Sequence, residues 1–187
     1  MDIKLQTKRL FITPVSLADL EKIHELHSLP ETDKFNTLGI PEKLSQTEEV
    51  VKGWITKNND QENKYFTFKI ELAECRSFVG LIALNLGLSK FKNAEVWYKL
   101  HSDFWNKGYA TESLNKILEF GFGKLNLHRI EAGCAVQNLG SIRVLEKVGM
   151  IREGRKRKVL PLKDGWSDNF HYAMLSTDYE SNRNNNA

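Results

Sequence analysis

Cysteine is scarce. The 187-residue chain carries two, Cys75 and Cys134, far apart and without a Cys-x-x-Cys spacing. That argues against a cysteine zinc site and a redox pair, and two thiols without a framework fit a reducing compartment. No apolar stretch approaches the ~18 residues of a membrane span. The N-terminus, Met1-Asp2-Ile3-Lys4, has no apolar signal core. The expected location is cytoplasmic, with no membrane partner. A large excess of one charge is also missing: 27 Lys and Arg face 24 Asp and Glu, a net charge of +3. Nucleic-acid binding needs a concentrated basic surface. The one dense run, Arg155-Lys156-Arg157-Lys158, reads as a solvated face or strand edge, so no nucleic-acid partner is expected. His24, His27, His101, His128 and His171 show no ligand spacing, and no metal is expected. No G-x-G-x-x-G or G-x-x-x-x-G-K-[ST] follows a strand, which argues against the common dinucleotide and P-loop sites.

What is present suffices for one ordinary domain. The chain is 41% hydrophobic and 27% charged, enough for a core without staples. The domain is expected over residues 1–180, with a polar, frayed tail over 181–187.

Thr7 to Thr13 alternates as a strand. Ser16, with Asp19 three residues on, starts a helix that Pro30 stops. Ser45-Gln46-Thr47-Glu48 reads as a capping box opening a second helix to about Thr56, and Glu31 to Leu44 between them reads as a loop. From Lys64 the period falls to two. Tyr65–Ile70, Ser77–Asn85 and Ala94–Leu100 form three consecutive strands, an expected antiparallel meander. A helix follows from about Tyr109 to Leu125, then a strand at Ile130–Val136 and a helix at Leu139–Val148 closed by Gly149. Two last strands flank Lys163-Asp164-Gly165.

The chemically informative stretch is Glu95 to Glu112, EVWYKLHSDFWNKGYATE. A strand ends, a short loop follows, and a helix opens just after Gly108. Unpaired N–H groups at a helix start, at the positive end of its dipole, form an anion site. Gly108 lets backbone approach a phosphate closely, and Ala110 is nearly as small. A glycine at such a turn is also, on its own, simply a turn.

A second segment, Asn138-Leu139-Gly140-Ser141-Ile142-Arg143-Val144-Leu145-Glu146-Lys147-Val148-Gly149-Met150, follows the strand beginning RIEA. With WNKGYATE before it, LQTKRLFITPVSLADL at the start and REGRKRKVLPLKDGWSDNFHYAML at the end, the chain resembles the GNAT acetyltransferases, in particular the RimJ/RimL-type branch, from about Leu5 to Leu175. The resemblance implies an α/β fold: a single GNAT-like domain with a central mixed, mostly antiparallel twisted sheet, flanked by helices, with splayed central strands. It implies acetyl-CoA as cosubstrate, bound by the loop Trp105, Asn106, Lys107, Gly108, Tyr109, Ala110 and Thr111. Main-chain groups near Tyr98 to Leu100, and Asn138, would hold the pantetheine arm. Many relatives place a Tyr proton donor on the following helix; this chain has Leu145 there. Ser141 is the candidate acid, with a helix-start residue as its bland alternative. Glu95 is the candidate base, acting through water, with a structural carboxylate paired to Arg or Lys as its alternative. Asp168 and Tyr172 match a branch pattern near the acceptor cleft. Trp97 stands where the branch usually has Gly and is expected to reshape the acceptor side. The implied reaction is acetyl transfer to an amine-bearing acceptor: a protein N-terminal amine, or alternatively a polyamine, amino acid or antibiotic. A non-catalytic acyl-CoA-binding relative is the third reading. A monomer or homodimer is expected.

Overall fold

The computed structural model describes residues 3–60 and 64–185. Its eight strands form one sheet in the order β1-β2-β3-β4-β5-β6-β8-β7: β1 (Leu5–Gln6), β2 (Leu10–Pro14), β3 (Tyr65–Leu72), β4 (Phe78–Leu86), β5 (Asn93–Leu100), β6 (Arg129–Ala135), β7 (Ile151–Leu162) and β8 (Gly165–Leu175). Every pairing is antiparallel except β5 with β6. The meander of three strands is therefore present as β3-β4-β5. The expected first strand is shorter, because the Thr7 hydroxyl accepts the Leu10 N–H at 2.9 Å and turns the chain between β1 and β2.

Six helices cover the sheet: α1 (Leu20–Ser28), α2 (Pro30–Asp33), α3 (Leu44–Asn58), α4 (Tyr109–Glu119), α5 (Leu139–Lys147) and α6 (Ser176–Asn185). Ser16 and Asp19 act as read: the Ser16 N–H and hydroxyl both donate to the Asp19 carboxylate, at 2.9 and 2.8 Å, ahead of a 3₁₀ turn leading into α1. Pro30 does more than stop α1. It occupies the first turn of α2, where its missing N–H is not needed. The capping box at Ser45 does not form: α3 starts a residue earlier, with Lys43 before it, and the Gln46 side chain accepts the Glu42 N–H at 2.7 Å. α4 ends before Leu125 because Phe120–Lys124 widens into a π-turn, with Leu125 N–H donating five residues back to Phe120. The tail expected to fray from Ser181 continues α6 as far as Asn185; residues 186–187 lie outside the described residues.

The two faces of the sheet have separate cores. α4 and α5 bury Leu114, Ile117 and Leu145 against Phe68, Ile82, Val96 and Ile130. α1 and α3 bury Ile23, Leu26 and Val51 against Val15 and Leu81, with Trp54 and Trp97 at the margin. The basic run 155–158 lies on β7, an exposed edge strand. Among the described residues, no helix is long and apolar enough to cross a membrane.

Candidate active site

β5 and β6 run side by side for only three residues, Asn93–Glu95 against Arg129–Glu131. Beyond Glu95, β5 stays with β4 as far as Leu100, while β6 pairs with β8. The sheet is thus splayed from Val96 onward. The His101 N–H donates to the Val79 carbonyl at 2.9 Å. Backbone direction alternates along a strand, so Trp97 and Lys99 point their main-chain groups at β4. Those of Tyr98 and Leu100 point into the opening. One is committed: the Leu100 carbonyl accepts the Trp105 indole N–H at 2.8 Å. The Leu100 N–H and both Tyr98 groups form the remaining edge.

The same loop then turns into α4. Asn106 and Gly108 have φ of 59° and 79°, and Gly108 caps the helix. The helix's first hydrogen bond is Glu112 N–H to Gly108 carbonyl, 3.0 Å. The N–H groups of Tyr109, Ala110 and Thr111 precede it and have no intrahelical acceptor. Trp105, Asn106, Lys107 and Gly108 are exposed, so an anion can reach this end of the dipole.

Arg9, which sequence reading missed, braces this start. Its Nη1 donates to the Lys107 carbonyl at 3.1 Å, its guanidinium stacks 4.6 Å from the Tyr109 ring centre, and its Nε donates to Glu112 at 2.6 Å. Glu112 also accepts from the Thr7 hydroxyl and the Arg9 N–H, at 2.5 and 3.1 Å. Burial pushes this carboxyl up, but the bonds from Thr7 and Arg9 together hold it below the usual carboxylate range. Only folding brings residues 7, 9 and 112 together, so no local sequence signal marks them. Glu112→Ala is expected to lower the unfolding free energy by about 1 kcal/mol, since water replaces part of these bonds; a shifted urea midpoint measures it.

α5 begins on the other side of the opening. The Asn138 Oδ1 accepts the Ser141 N–H at 3.1 Å and caps the helix. Its amide nitrogen and the Ser141 hydroxyl have no hydrogen-bond partner among the described residues. The Tyr98 hydroxyl donates across the gap to the Ser141 carbonyl at 3.4 Å. Burial, above all, raises the Tyr98 phenol, so it stays protonated. Cys134 of β6 lies close by, its thiol pushed up to about 11 by burial and then by Glu146. Leu145 is core, 1% exposed.

Glu95 stands on the opposite face. It shares that face with Trp97, whose ring lies 5.7 Å from Trp54 of α3. Glu95 is exposed and has no ion pair among the described residues. Glu131, beside it on β6, and Glu153 are structural: both take the Arg129 guanidinium. Asp168 and Tyr172 each have hydrogen-bond partners within the fold. Asp168 accepts from Arg155 Nε at 2.6 Å and the Lys158 N–H at 2.9 Å, fastening a bulge in β7. Tyr172 is buried on the α5 face, donating to Glu146 at 3.2 Å. The arrangement offers an anion cradle, an extended edge to pair with an arm, and an open carboxylate and hydroxyl on opposite sides of the gap. Among the described residues no group of side chains is placed to hold a metal.

Residues 9–151 match the acetyltransferase (GNAT) domain family. The uncharacterized N-acetyltransferase YnaD of Bacillus subtilis is 33% identical over 175 residues, covering 94% of this chain and 98% of its own. The spermidine N-acetyltransferase of Vibrio cholerae, solved with CoA and spermine, superposes with a TM-score of 0.81 at 23% identity, covering 93% of this chain and 99% of its own. RimL, the ribosomal L7/L12 alpha-N-protein acetyltransferase solved with CoA, gives 0.83 at 18% identity over 92% and 98%. The last two likenesses are of fold. The family match begins at the arginine that braces α4 and ends at the first residue of β7, and the chain belongs to the GNAT acetyltransferases, with acetyl-CoA as its acetyl donor.

Proposed function

We propose that the protein acetylates a primary amine by direct attack within the opening between β5 and β6. The observation that carries this reading is the splay itself, with Ser141 on one side and Glu95 on the other. The N–H groups of Tyr109, Ala110 and Thr111 bind the pyrophosphate, in the cradle formed with Trp105, Asn106, Lys107 and Gly108. The Tyr98 main chain, the Leu100 N–H and the Asn138 amide nitrogen hold the pantetheine arm. Bound acetyl-CoA supplies a thioester carbonyl and a thiolate leaving group. Glu95 takes the acceptor's proton, through water, on the α1–α3 face. Ser141 donates a proton on the α5 face, where Leu145 has removed the tyrosine alternative.

Two acceptor classes follow from the neighbours. The RimL likeness and the branch resemblance favour a protein N-terminal amine; the spermidine acetyltransferase favours a small amine. CoA release from acetyl-CoA, followed with a thiol reagent, tests the reading on an N-terminal peptide and on spermidine. No release with any amine, despite acetyl-CoA binding, would leave a non-catalytic relative. Ser141→Ala is expected to lower kcat about a hundredfold with the acetyl-CoA affinity unchanged; equal turnover would return Ser141 to a helix-start role.

A further inference from the structure

Buried polar atoms without a hydrogen bond are rare in folded proteins. Three here belong to one region: Asp33 Oδ1, Asn36 Nδ2 and Lys99 Nζ lack a partner among the described residues. Asp33 ends α2 and is 6% exposed. Asn36 follows on the same turn, its N–H donating to the Asp33 carbonyl at 2.8 Å. α2 is moored beside the end of β5 by Glu31, which accepts the Ser102 hydroxyl at 2.8 Å. Lys99 leaves β5 on the Trp97 face, toward α1 and α2, one residue after Tyr98 and within the stretch that has parted from β6. Burial lowers the Lys99 ammonium to about 8, and Asp33 pulls the other way. The two side chains therefore sense each other's charge without forming a hydrogen bond or ion pair. A buried Lys and Asp with nothing to bind would gain by closing into a bonded pair.

The unused groups are two donors and one acceptor. A carboxylate supplies acceptor oxygens for Lys99 and Asn36, and an ammonium supplies the donor for Asp33. A linear polyamine has donors only: it satisfies Asp33 and sets its cations against Lys99. His27 adds no charge, because burial first, then Lys99 and His24, lower it to about 4.

We propose that Asp33, Asn36 and Lys99 form the acceptor end of the site and select a small zwitterion, a free amino acid, over a polyamine. This rests on the acetyl-transfer reading above. The α-ammonium loses a proton, its nitrogen bonds to the acetyl carbon as the C–S bond breaks, and the same nitrogen then gives up a second proton to become the amide. The thiolate then takes up a proton, so one ammonium and one thioester give one amide, one thiol and one released proton.

The test follows thiol release with acetyl-CoA and each common L-amino acid. Phenylalanine, tyrosine and lysine are compared with phenethylamine, tyramine and cadaverine, their decarboxylated forms, and spermidine is run alongside. At least one amino acid is expected to exceed spermidine in kcat/KM, and a matched amino acid its own amine, by about a hundredfold or more, because a site built for a polar group rejects an analogue without it. Lys99→Met is expected to erase the preference, and Asn36→Ala to reduce it, with the acetyl-CoA Kd by calorimetry unchanged. Turnover of the amines or spermidine as fast as of amino acids overturns the proposal, as does a preference that survives Lys99→Met, which would make the three groups a hydrated pocket. If wild type binds no acetyl-CoA, or binds it and acetylates no amine at all, the underlying reading fails and takes this one with it; turnover of spermidine or another amine without amino-acid turnover defeats this one alone.

Discussion

Gly108→Trp is expected to weaken acetyl-CoA binding about a thousandfold while the protein stays folded. Two effects must be separated. Gly108 has φ of 79°, and a residue with a Cβ in that region costs about 1–2 kcal/mol. A Cβ there meets only the flexible end of Arg9, at 3.5 Å, and the loop is exposed, so the indole finds room in the protein. That room is the approach to the N–H groups of Tyr109, Ala110 and Thr111. Hydrogen bonds to a charged group contribute about 1.5–3 kcal/mol each, and the loss of two accounts for a thousandfold. Gly108→Ala carries the strain without the bulk and is expected to bind within about tenfold of wild type, by the same strain figure. Titration calorimetry of the three proteins reads the result. Equal affinity in Gly108→Trp would remove the α4 start from the cofactor site.

The strand, loop and helix start proposed to hold the cofactor were legible in the sequence because their signals are local. A period-two strand, a loop with Gly108 and an amphipathic helix are written within eighteen consecutive residues, 95–112. Asn138 and Ser141 are likewise close in sequence, and the cap between them is a local bond. Helix ends were read less well, where two patterns competed. Ser45 and Glu48 spell a capping box, yet the Gln46 side chain caps the preceding turn and α3 starts at Leu44. Phe120-Gly121-Phe122-Gly123 continues the apolar pattern of α4, but Gly121 packs against Ile130 so closely that a Cβ would stand 2.6 Å from its Cδ1, and the backbone widens there. Tyr172 shows a third limit: a pattern fixes its place in β8, while the face it presents depends on the pairing of β8 with β6. Arg9 with Glu112, and Asp33 with Lys99, lie 103 and 66 positions apart. No periodicity links such pairs; the sheet order does.

Lys99→Met is expected to stabilise the protein at pH 7, by about 3 kcal/mol at most and on the order of 2 after screening by solvent. Folding lowers the Lys99 ammonium from 10.5 to about 8. Below pH 8 both folded and unfolded chains carry the charge, and the folded one bears the whole cost of burying it. Between pH 8 and 10.5 the unfolded chain binds more protons, so this contribution rises with pH. Cys134 opposes it there: its thiol is raised to about 11, and the folded chain keeps a proton that the unfolded chain has lost. The clean reading is the difference between variant and wild type, which shrinks from pH 8 to 10. The acid limb tests the same cluster independently. His27 is 5% exposed, and its pKa falls from 6.5 to about 4 through burial, Lys99 and His24, in that order. The neutral imidazole therefore contributes about 3 kcal/mol above pH 6.5, which is lost as the pH falls toward 4 because the unfolded chain takes up the proton first. His27→Gln should flatten this limb. Lys99→Met removes the second of its three causes, so the limb should become shallower and His27 should titrate nearer 6.5. Urea unfolding from pH 4.5 to 10 measures both limbs. A variant that is stabilised at pH 7 with the acid limb unchanged would mean that Lys99 acts apart from His27, and that burial and His24 alone keep the imidazole neutral.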